Sequence, residues 1–537
     1  GIDGDVSIDV PENGTLVVSF IGYLSREIPV GKDTSIDVTL MEDTQRLDEV
    51  VVVGYGVQKK ANLTGAVSSV KMEEVMGSRP LTNATDALQG TVAGLLVSNN
   101  GNTPGKSKSF QIRGAYSVGI KNDDGSYGSA IKPLVLIDNV EGDLDMINPE
   151  DIETVTVLKD AASAAIYGAR AAGGVILVTT KRPKGATTFQ LNYNNNFAFA
   201  NSINLPKQAP LMDFLQAYSD AAGDQFWTMG SPSVQKWMGY LEQYRNNPSS
   251  LNTVGDGIFK DTDGAVYYLN EKDLVKNMME TSFQQTHNLS ATGGTDKIRY
   301  RLSAGYIGND GVLITDKDKY KRMNISSFLS ADVTSWFTQE ATFSYAHSKT
   351  TEPKSALGAV YSTRLASFYP EGTMPEGISD AGTGLPFFTP ANQIRWSNTA
   401  TTLGDNPRLF LKSIVKPFEG FQVAFEYTFD KNIYDYHWYT GSVDYTTVQG
   451  GKDTTPTNDY LQKTKRYTNY NSINLYGTYD FVLGKEHKFK VMAGFNQESS
   501  YQETMEAFSY GQAVIEVPSL GSGTSTLKAT DKYNEYT

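Results

Sequence analysis

Few residues in this sequence have the types and spacing that catalysis or metal binding requires. There is no cysteine, so disulfides, thiolate metal sites and cysteine nucleophiles are excluded. The histidines lie too far apart to form a ligand-spaced pair; they are His287, His347, His437 and His487. Spacing nominates no Ser-His-Asp set, and the many carboxylates are not localised as a glycosidase pair would be. We therefore predict neither an enzyme nor a metal or cofactor site.

Three short motifs resemble ligand-binding loops without meeting their requirements. Residues 101–107, GNTPGKS, have three residues between the glycines where a phosphate-binding loop has four, and a strand-like segment follows instead of a helix. The segments NDDG at 122–125 and DTDG at 261–264 lack the spacing and the closing glutamate of a calcium loop. We do not predict nucleotide binding, and we interpret the two acidic segments as solvated turns.

Composition indicates a chain of several units with many aromatic residues. Its 537 residues exceed one ordinary core, and its net charge of −13 argues against nucleic acid or an anionic lipid surface as a partner. No run of about 18 apolar residues is present, so we expect no transmembrane helix. The 31 tyrosines and 24 phenylalanines fall mostly after residue 189. A mean hydropathy of −0.36 fits a soluble protein, or a membrane β-barrel that exposes alternate residues to lipid.

Two segments precede the aromatic part. Residues 1–46 contain four strand-like runs between turn signals, which indicates the latter part of a small β-sandwich. Residues 57–185 mix helix and strand patterns. Asn148 and Asp160 are candidate helix caps, Gly168 is a candidate helix end, and ETVTVL and GVILVTT are strand-like. We predict a compact α+β unit of ordinary domain size in this second segment.

From residue 189 onward, apolar and polar residues alternate over long stretches. In FQVAFEYTFD, residues 421–430, the aromatic side chains occupy one face and the polar ones the other. A large soluble β-sandwich or propeller is the alternative, but strands of ten or more residues with aromatic ends favour a membrane barrel. Two long polar connections, within 201–282 and 351–405, interrupt the strands, and loops of this length usually carry function. We predict nine barrel strands, at residues 189–200, 284–294, 297–308, 321–334, 337–349, 407–417, 421–438, 465–483 and 487–507.

Nine strands are too few for a complete barrel that holds a plug. Single-chain bacterial barrels use even strand numbers, and large transporters with a filled lumen have about 22 strands. The polar tail TDKYNEYT is not typical of a closing strand, and residue 1 already lies in strand-like sequence. We therefore expect a fragment cut at both ends, with an open sheet edge at strand 189–200 and another at the final strand.

The most unusual stretch is LDEVVVVGYG at residues 47–56. Four consecutive valines should be buried on both faces of a sheet, yet the flanks are typical of exposed connectors. One interpretation is an edge strand of the preceding sandwich. The other is a docking strand that adds to a partner's sheet through unpaired backbone groups, with Asp48 and Glu49 as charged gatekeepers against aggregation.

The order of these segments resembles the SusC/RagA-like TonB-dependent outer-membrane transporters of Bacteroidota. The similar motifs are LDEVVVVGYGVQKKANLTGAVSSV, ALQGTVAGLLV, FQIRGAYS, PLVLIDNVEG, NPEDIETVTVLKDAASAAIYGARAAGGVILVTTK and HNLSATGGTDKIRYRLSAGY. The resemblance implies a mainly β fold: part of a transmembrane antiparallel β-barrel that is filled by an N-terminal α+β plug. Its domains are a partial carboxypeptidase-regulatory-like sandwich at 1–46, a TonB box and linker at 47–56, the plug at 57–185, and the N-terminal part of the barrel, with long extracellular loops, at 186–537.

The family resemblance also implies partners and a location. The protein would lie in the cell outer membrane as a multi-pass barrel and import a polymer fragment, an oligosaccharide by this prediction. TonB, driven by the inner-membrane energising complex, would pull on the TonB box and displace the plug. A SusD-like surface lipoprotein would cap the barrel and deliver the substrate. The TonB-box residues are Asp48, Glu49, Val50, Val51, Val52 and Val53.

The resemblance leaves the substrate and two contacts open. Arg113 and Arg170 could tie the plug to the barrel through carboxylates, or they could be plug-surface charges. A polar loop between two plug strands could hold substrate in the lumen, or could be an ordinary hydrated loop; its candidate residues are Tyr116, Asn122, Asp123, Asp124 and Tyr127. A peptide importer of the same family, or a surface receptor or adhesin barrel without transport, remains an alternative to oligosaccharide import.

Overall fold

The computed structural model describes most of the chain beyond residue 132 and separate parts before it. The described residues are 15–18, 26–29, 38, 50–53, 56–59, 67–77, 83–98, 104–105, 108–114, 132–183, 185–354, 366–456, 458–484, 487–512, 518–524 and 528–536. Within these ranges, no helix has both the length and the apolar character needed to cross a membrane.

Two short hairpins come first. Strand β1, Thr15–Val18, pairs with β2, Arg26–Pro29; the other strands predicted in residues 1–46 lie outside the described residues. The valine run forms β3, Val50–Val53, which pairs antiparallel with β4, Gly56–Lys59. Under the docking-strand interpretation, the backbone of this strand was expected to be unpaired. In the structure it is paired, because four β-branched residues followed closely by a second extended segment form a local hairpin. A two-stranded hairpin still has backbone groups on its outer edges that can pair with another strand.

The α+β unit is built on a five-stranded sheet in the order β5-β10-β11-β8-β9. Strands β11 and β8 run parallel, and the other neighbours are antiparallel. A separate hairpin, β6–β7, packs with it. The bounds are β5 Val67–Lys71, α1 Met72–Met76, α2 Ala84–Leu88, β6 Leu95–Ser98, β7 Ser109–Ile112, β8 Leu134–Ile137, β9 Val140–Glu141, β10 Ile152–Leu158, α3 Ala161–Ala164 and β11 Val175–Thr180.

Local sequence signals explain most of these boundaries. The side chain of Asn83 caps α2 by accepting a hydrogen bond from the Asp86 backbone N–H, and Asp160 caps α3 in the same way. Asn148 caps a single 3-10 turn that begins with Pro149. Gly168 was predicted to end the helix that Asp160 caps; instead α3 ends at Ala164, and Gly168, with a positive φ of 62°, interrupts the 3-10 turns Ala165–Ala171 that follow it.

The core of this unit lies against both faces of its sheet. Val155, Val157, Ile176 and Val178 are almost completely buried together with Leu88 of α2. Strands that are covered on both sides need apolar residues at successive positions. This requirement explains the unbroken apolar run VILV at the start of β11, where Val175 and Leu177 belong to a second buried cluster.

A single large antiparallel sheet of ten strands follows among the described residues. Each of the nine connections joins two strands that are neighbours in the sheet, although the loops that join them differ greatly in length. Its strands are β12 Thr187–Ala200, β15 Ser282–Gly294, β16 Ile298–Asp310, β17 Lys319–Thr334, β18 Phe337–Pro353, β19 Thr399–Phe418, β20 Phe421–Thr440, β23 Tyr460–Leu483, β24 His487–Tyr510 and β25 Lys528–Tyr536.

The predicted strand count was wrong by one. The polar tail forms β25, which pairs with β24 along its whole length. Only nine strands had been expected because this segment lacks an apolar face. Backbone hydrogen bonds to the long strand β24 are enough to hold the segment in an extended conformation. Within the described residues, β12 pairs only with β15 and β25 only with β24, so both edges of the sheet are open as expected.

Alternation gives the large sheet two different faces. On β20, Ala424, Glu426 and Thr428 are buried on the inner face, which contacts the α+β unit, while Phe425 is 43% exposed on the outer face. The short turns between strands all lie at one end of the sheet and the long loops at the other. In the part of the chain that the structure describes, the long loops comprise residues 201–281, 311–318, 366–398, 441–456, 458–459 and 518–524.

Three of the long loops fold together into one structure, which we call the loop cap (residues 201–281, 366–398 and 441–456). Its helices α4, Leu211–Ala222, and α5, Val234–Asn246, pack around Trp237 together with Phe368 and Val448 from the two later loops. The remaining elements of the cap are β13 Ile258–Lys260, β14 Val266–Tyr268, α6 Pro390–Trp396, β21 Val443–Thr446 and β22 Lys452–Thr455.

Candidate functional site at the plug interface

The α+β unit contacts the inner face of the large sheet through arginines and buried polar groups. The tightest turn at this interface joins β8 to β9 through Asp138 and Asn139, whose φ values of 49° and 71° are those of a hairpin turn with both central residues left-handed. The Asp138 carboxylate accepts hydrogen bonds from the Thr180 backbone N–H (3.1 Å) and hydroxyl (2.6 Å). The turn is thereby fixed to the end of β11.

Arg182 connects this turn to the large sheet. Its guanidinium lies 3.2 Å from Asp138 Oδ2 and 3.1 Å from Glu340 Oε2 of β18, and it lies over the ring of Phe328 at 5.1 Å. Burial alone would raise the pKa of the Asp138 carboxyl, but Arg182 and the Thr180 hydrogen bonds reverse this effect and hold the pKa below its ordinary value. The interface therefore contains a buried carboxylate in its charged form.

Two further arginines of the large sheet hold backbone carbonyls of the α+β unit. Arg408 of β19 donates to the carbonyls of Ile137 (3.1 Å) and Val140 (3.3 Å). Gly142 beside this contact has to be small, because a Cβ there would lie 2.6 Å from the Arg408 guanidinium. Arg322 of β17 is completely buried and donates to the carbonyls of Asp145 and, at 3.3 Å, Ile147.

The next residues of the same segment contact β15 and β16. Asp151 accepts from Arg301 (2.9 Å) and from the Ser303 hydroxyl (2.7 Å). The Asn148 amide, which also caps the 3-10 turn, donates to Asn288 Oδ1 at 3.0 Å. Residues 137–151, which we call the clasp segment, are thus bound directly to four strands of the large sheet, β15, β16, β17 and β19, and indirectly to β18 through Arg182.

The two arginines predicted as plug contacts have different surroundings. Arg170 pairs with Glu498 of β24 and, at 2.6 Å, with Glu141 within the α+β unit. Burial would lower the pKa of Arg170, but these carboxylates raise it above its ordinary value, so the guanidinium is charged. Arg113 is exposed, and among the described residues only its backbone N–H has an assigned bond, to the Gly94 carbonyl at 2.7 Å.

The other predicted site residues are only partly described. Residues 115–131 lie outside the described ranges, so the predicted substrate residues in that loop, Tyr116, Asn122, Asp123, Asp124 and Tyr127, have no structural account. Of the predicted TonB box, Asp48 and Glu49 also lie outside, and Val50–Val53 form β3. The docking role of this strand stays a prediction.

The residues that form most of the hydrogen bonds and ion pairs at this interface were not identified from the sequence. Arg182, Arg322, Arg408 and Asp151 were not singled out, because each finds its partner more than 30 residues away or through a backbone carbonyl. One signal was present. Arg322 and Arg408 lie on the inner face of strands in which polar and apolar residues alternate, so the positive charge of each has to be matched by groups of the plug.

Known proteins share both this arrangement and its sequence. The TonB-dependent Receptor Plug Domain profile matches residues 59–175. The TonB-dependent receptor SusC of Bacteroides thetaiotaomicron is 33% identical over 323 residues, covering 58% of this chain and 27% of SusC. The TonB-dependent receptor P26 of Formosa agariphila is 28% identical over 524 residues, covering 95% of this chain and 47% of P26.

Solved structures give the same fold. The RagAB peptide importer in its open-open state superimposes with a TM-score of 0.69 at 23% identity, covering 90% of this chain and 53% of that chain. The present chain thus spans about half, or less, of the length of these relatives.

The α+β unit is a plug, and the large sheet on which it lies is part of an antiparallel outer-membrane β-barrel, the combination that defines a TonB-dependent receptor. Within that class, the chain is similar in sequence to SusC and shares the fold of RagAB, so its resemblance is to the SusC/RagA-like receptors.

Proposed function

We propose that the protein imports an oligosaccharide across the outer membrane by a TonB-dependent mechanism. The observation that carries this proposal is the plug itself, lodged against the inner face of the barrel sheet by Arg182, Arg170 and the clasp segment. A lumen closed in this way admits substrate only if the plug is displaced, and displacement requires work. The valine strand upstream, β3, is the element through which TonB would deliver that work.

The proposed partners follow from the same arrangement. TonB, with its inner-membrane energising complex, binds residues 48–53. A SusD-like lipoprotein binds at the long-loop end, where the loop cap presents aromatic residues such as Trp227, which is 46% exposed. RagAB, whose fold the chain shares, is described as a peptide importer; peptide import is therefore the second candidate function.

Uptake measurements on a deletion strain test the proposal and separate its alternatives. A strain that lacks the gene should lose growth on one oligosaccharide of a glycan panel and regain it on complementation, while growth on peptides is unchanged. Loss of growth on peptides alone would support the second candidate. Unimpaired growth on every glycan and peptide tested, with surface binding retained, would contradict transport and favour a receptor or adhesin.

A further inference from the structure

A cavity of about 870 Å³ lies between the plug and the inner face of β12, β15 and β16. This volume is near the upper end of the roughly 300–1,000 Å³ that small-ligand sites occupy. On the plug side it is lined by Glu73, Met76 and Gly77, at the end of α1, and by residues 148–151 of the clasp segment. We call it the amide cavity, after the side chains on its barrel side.

Alternate residues of β12 place four side-chain amides in the amide cavity. They are Gln190, Asn192, Asn194 and Asn196. None of these amides has a hydrogen-bond partner among the described residues, so their donors and acceptors face open space. Asparagine is depleted in strands, and its repetition on one face of β12 is therefore not explained by strand formation.

The row of amides runs along the barrel wall toward the short-turn end. Gln190 pairs with Thr292, two residues before the end of β15, and Asn196 pairs with Thr286. The row thus extends about 20 Å along the strand. Outer-membrane barrels have their short turns on the periplasmic side. The amide cavity therefore leads from the middle of the wall toward the periplasm.

The charged groups of the amide cavity leave a small excess of negative charge. Asp151 is paired with Arg301 at 2.9 Å, and Glu150 lies 3.9 Å from the Lys181 ammonium. The remaining carboxylate, Glu73, is exposed and has no ion-pair partner in the described part of the chain. An anionic ligand would therefore meet one more carboxylate than cation.

Amides and hydroxyls both donate and accept hydrogen bonds. Besides the amides of β12, hydroxyls of Thr286 and Ser290 line the amide cavity, and none of the described residues in its lining is aromatic. A chain rich in hydroxyl groups satisfies such a surface in many positions. Without aromatic rings to stack on, it is held weakly, and transport requires that a bound chain can also leave.

The plug is held more closely elsewhere on the wall. Arg322, Arg408 and Arg182 connect it to β17, β19 and β18 through hydrogen bonds and ion pairs. Movement of the plug away from β12 leaves these arginine contacts in place, whereas movement away from β17 to β19 breaks them. The amide cavity is thus the part of the interface that widens at the smallest cost in contacts.

We infer that the amide cavity is the route by which an uncharged oligosaccharide passes the plug, with the amides of β12 exchanging hydrogen bonds with successive sugar hydroxyls. This inference rests on the proposed function, to which it adds the path and the charge class of the substrate.

Uptake by whole cells that carry the full-length protein tests the inference. The probes are hexasaccharides of glucan, mannan and xylan, each with an uncharged fluorophore, together with labelled hexagalacturonate and a labelled hexapeptide. Wild-type cells should take up at least one uncharged hexasaccharide faster than hexagalacturonate, and this uptake should require residues 48–53.

Variants of β12 identify the route. Asn192→Trp combined with Asn194→Trp fills the amide cavity with two indole rings and should lower uptake by about tenfold or more, with surface binding of the probe unchanged. Leu191→Trp combined with Tyr193→Trp is the matched control. These two residues lie on the opposite face of the same strand, 62% and 57% exposed, and the control should take up the probe normally.

A second pair of substitutions tests the amides without adding bulk. Asn192→Leu combined with Asn194→Leu keeps a similar volume and removes the hydrogen-bonding groups. Uptake of the uncharged hexasaccharide should slow several-fold, while its surface binding is unchanged. This variant decides the inference if the tryptophan variant does not reach the cell surface.

Four results would overturn the inference: normal uptake by the tryptophan variant, normal uptake by the leucine variant, equal loss in the control, or preference for hexagalacturonate or the hexapeptide over every uncharged hexasaccharide. Failure of the proposed function looks different. If an uncharged hexasaccharide enters in dependence on residues 48–53 and the β12 variants do not change its entry, transport stands and only the inference fails. If no oligosaccharide enters wild-type cells, the transport proposal fails as well.

Discussion

Arg182 contacts two carboxylates that belong to different parts of the molecule, Asp138 of the plug and Glu340 of β18. All three side chains are mostly buried, with exposed fractions of 26% for Arg182, 13% for Asp138 and 16% for Glu340. A buried pair of this kind contributes little net stability over apolar packing, but removal of one member leaves uncompensated charge. The contact therefore acts mainly to fix where the plug lies against the barrel.

We predict that Arg182→Gln destabilises the seated plug by about 2–3 kcal/mol, because two buried carboxylates lose their cation. The measurement is thermal unfolding in detergent, with proteolysis of the plug as a second readout. The double variant Arg182→Gln with Glu340→Gln should recover part of the loss. Arg245→Gln, which breaks an exposed pair with Glu271 in the loop cap, is the control and should change stability little. A loss for Arg182→Gln no larger than this control would contradict the assignment.

Asp318 ends the loop between β16 and β17 and is 3% exposed. Burial raises the pKa of its carboxyl to about 6, although the Leu313 backbone N–H donates to it at 3.3 Å. Gly311 makes room for it, since a Cβ there would lie 1.7 Å from Asp318 Oδ2. Because the folded-state pKa is raised, the stability contributed by protonation is full below about pH 4 and is lost as the pH rises through about 6.

Asp318→Asn should therefore be more stable than the wild type at pH 7.5, by about 1–3 kcal/mol, and equal to it near pH 4. Thermal shift between pH 4 and 8 measures this difference. Asp316→Asn in the same loop is the control, because its side chain is 67% exposed. A wild type whose stability rises between pH 4 and 6 relative to Asp318→Asn would contradict the sign.

At the scale of elements, the loop cap is a small folded unit that none of its three loops could form alone. Trp237 is completely buried at its centre, packs edge-on against Phe226 and Phe368, and donates its indole N–H to the Tyr268 carbonyl at 3.0 Å. Phe368 comes from a loop more than a hundred residues further along the chain. Contacts of such large sequence separation keep the cap together at the long-loop end.

Trp237→Ala should open the cap without unfolding the sheet beneath it. Truncation of a buried tryptophan costs about 3–5 kcal/mol, which is comparable to what a unit of this size can supply. Limited proteolysis should then cut within residues 201–281 and 366–398, while the barrel strands stay protected. Trp227→Ala serves as the matched control because Trp227 is 46% exposed. Simultaneous loss of the strands and the cap would show that the cap is not a separate unit.

Elements with a strong local signal were predictable, and those held by distant partners were not. Alternation in residues 421–438 predicted β20 to within two residues at its end, and Asp160 predicted the start of α3. Strand β19 begins at Thr399, eight residues before the prediction, because Gly404 and Pro407 are turn signals that pairing with two long neighbours overrides. The partner of Arg170, Glu498, lies 328 residues away and no local pattern indicates it.

At the scale of the whole molecule, the outer face of the barrel sheet has to match the bilayer. Outer-face residues near mid-strand are apolar, such as Leu411 opposite Ala341 and Tyr427. Toward the long loops they become polar: Leu403 lies opposite Lys349 and Asp435. This gradient is typical of a strand that leaves the hydrocarbon core for the outer leaflet surface.

Leu411→Lys should destabilise the folded barrel by about 2–4 kcal/mol, because its charge lies in the hydrocarbon. Leu403→Lys on the same strand and face should cost no more than about 1 kcal/mol, since it lies beside Asp435 and nearer the interface. Unfolding in lipid bilayers measures both changes. Equal effects of the two substitutions would place the membrane elsewhere on the molecule.

The central claim is that TonB, acting through the valine strand, drives transport past a plug that otherwise closes the lumen. Deletion of residues 48–53 tests it most directly, with binding and uptake of the same labelled substrate measured on whole cells. The account predicts surface binding equal to that of the wild type and complete loss of uptake, whereas deletion of the six residues 39–44 leaves both unchanged. Uptake that persists without residues 48–53 would contradict it.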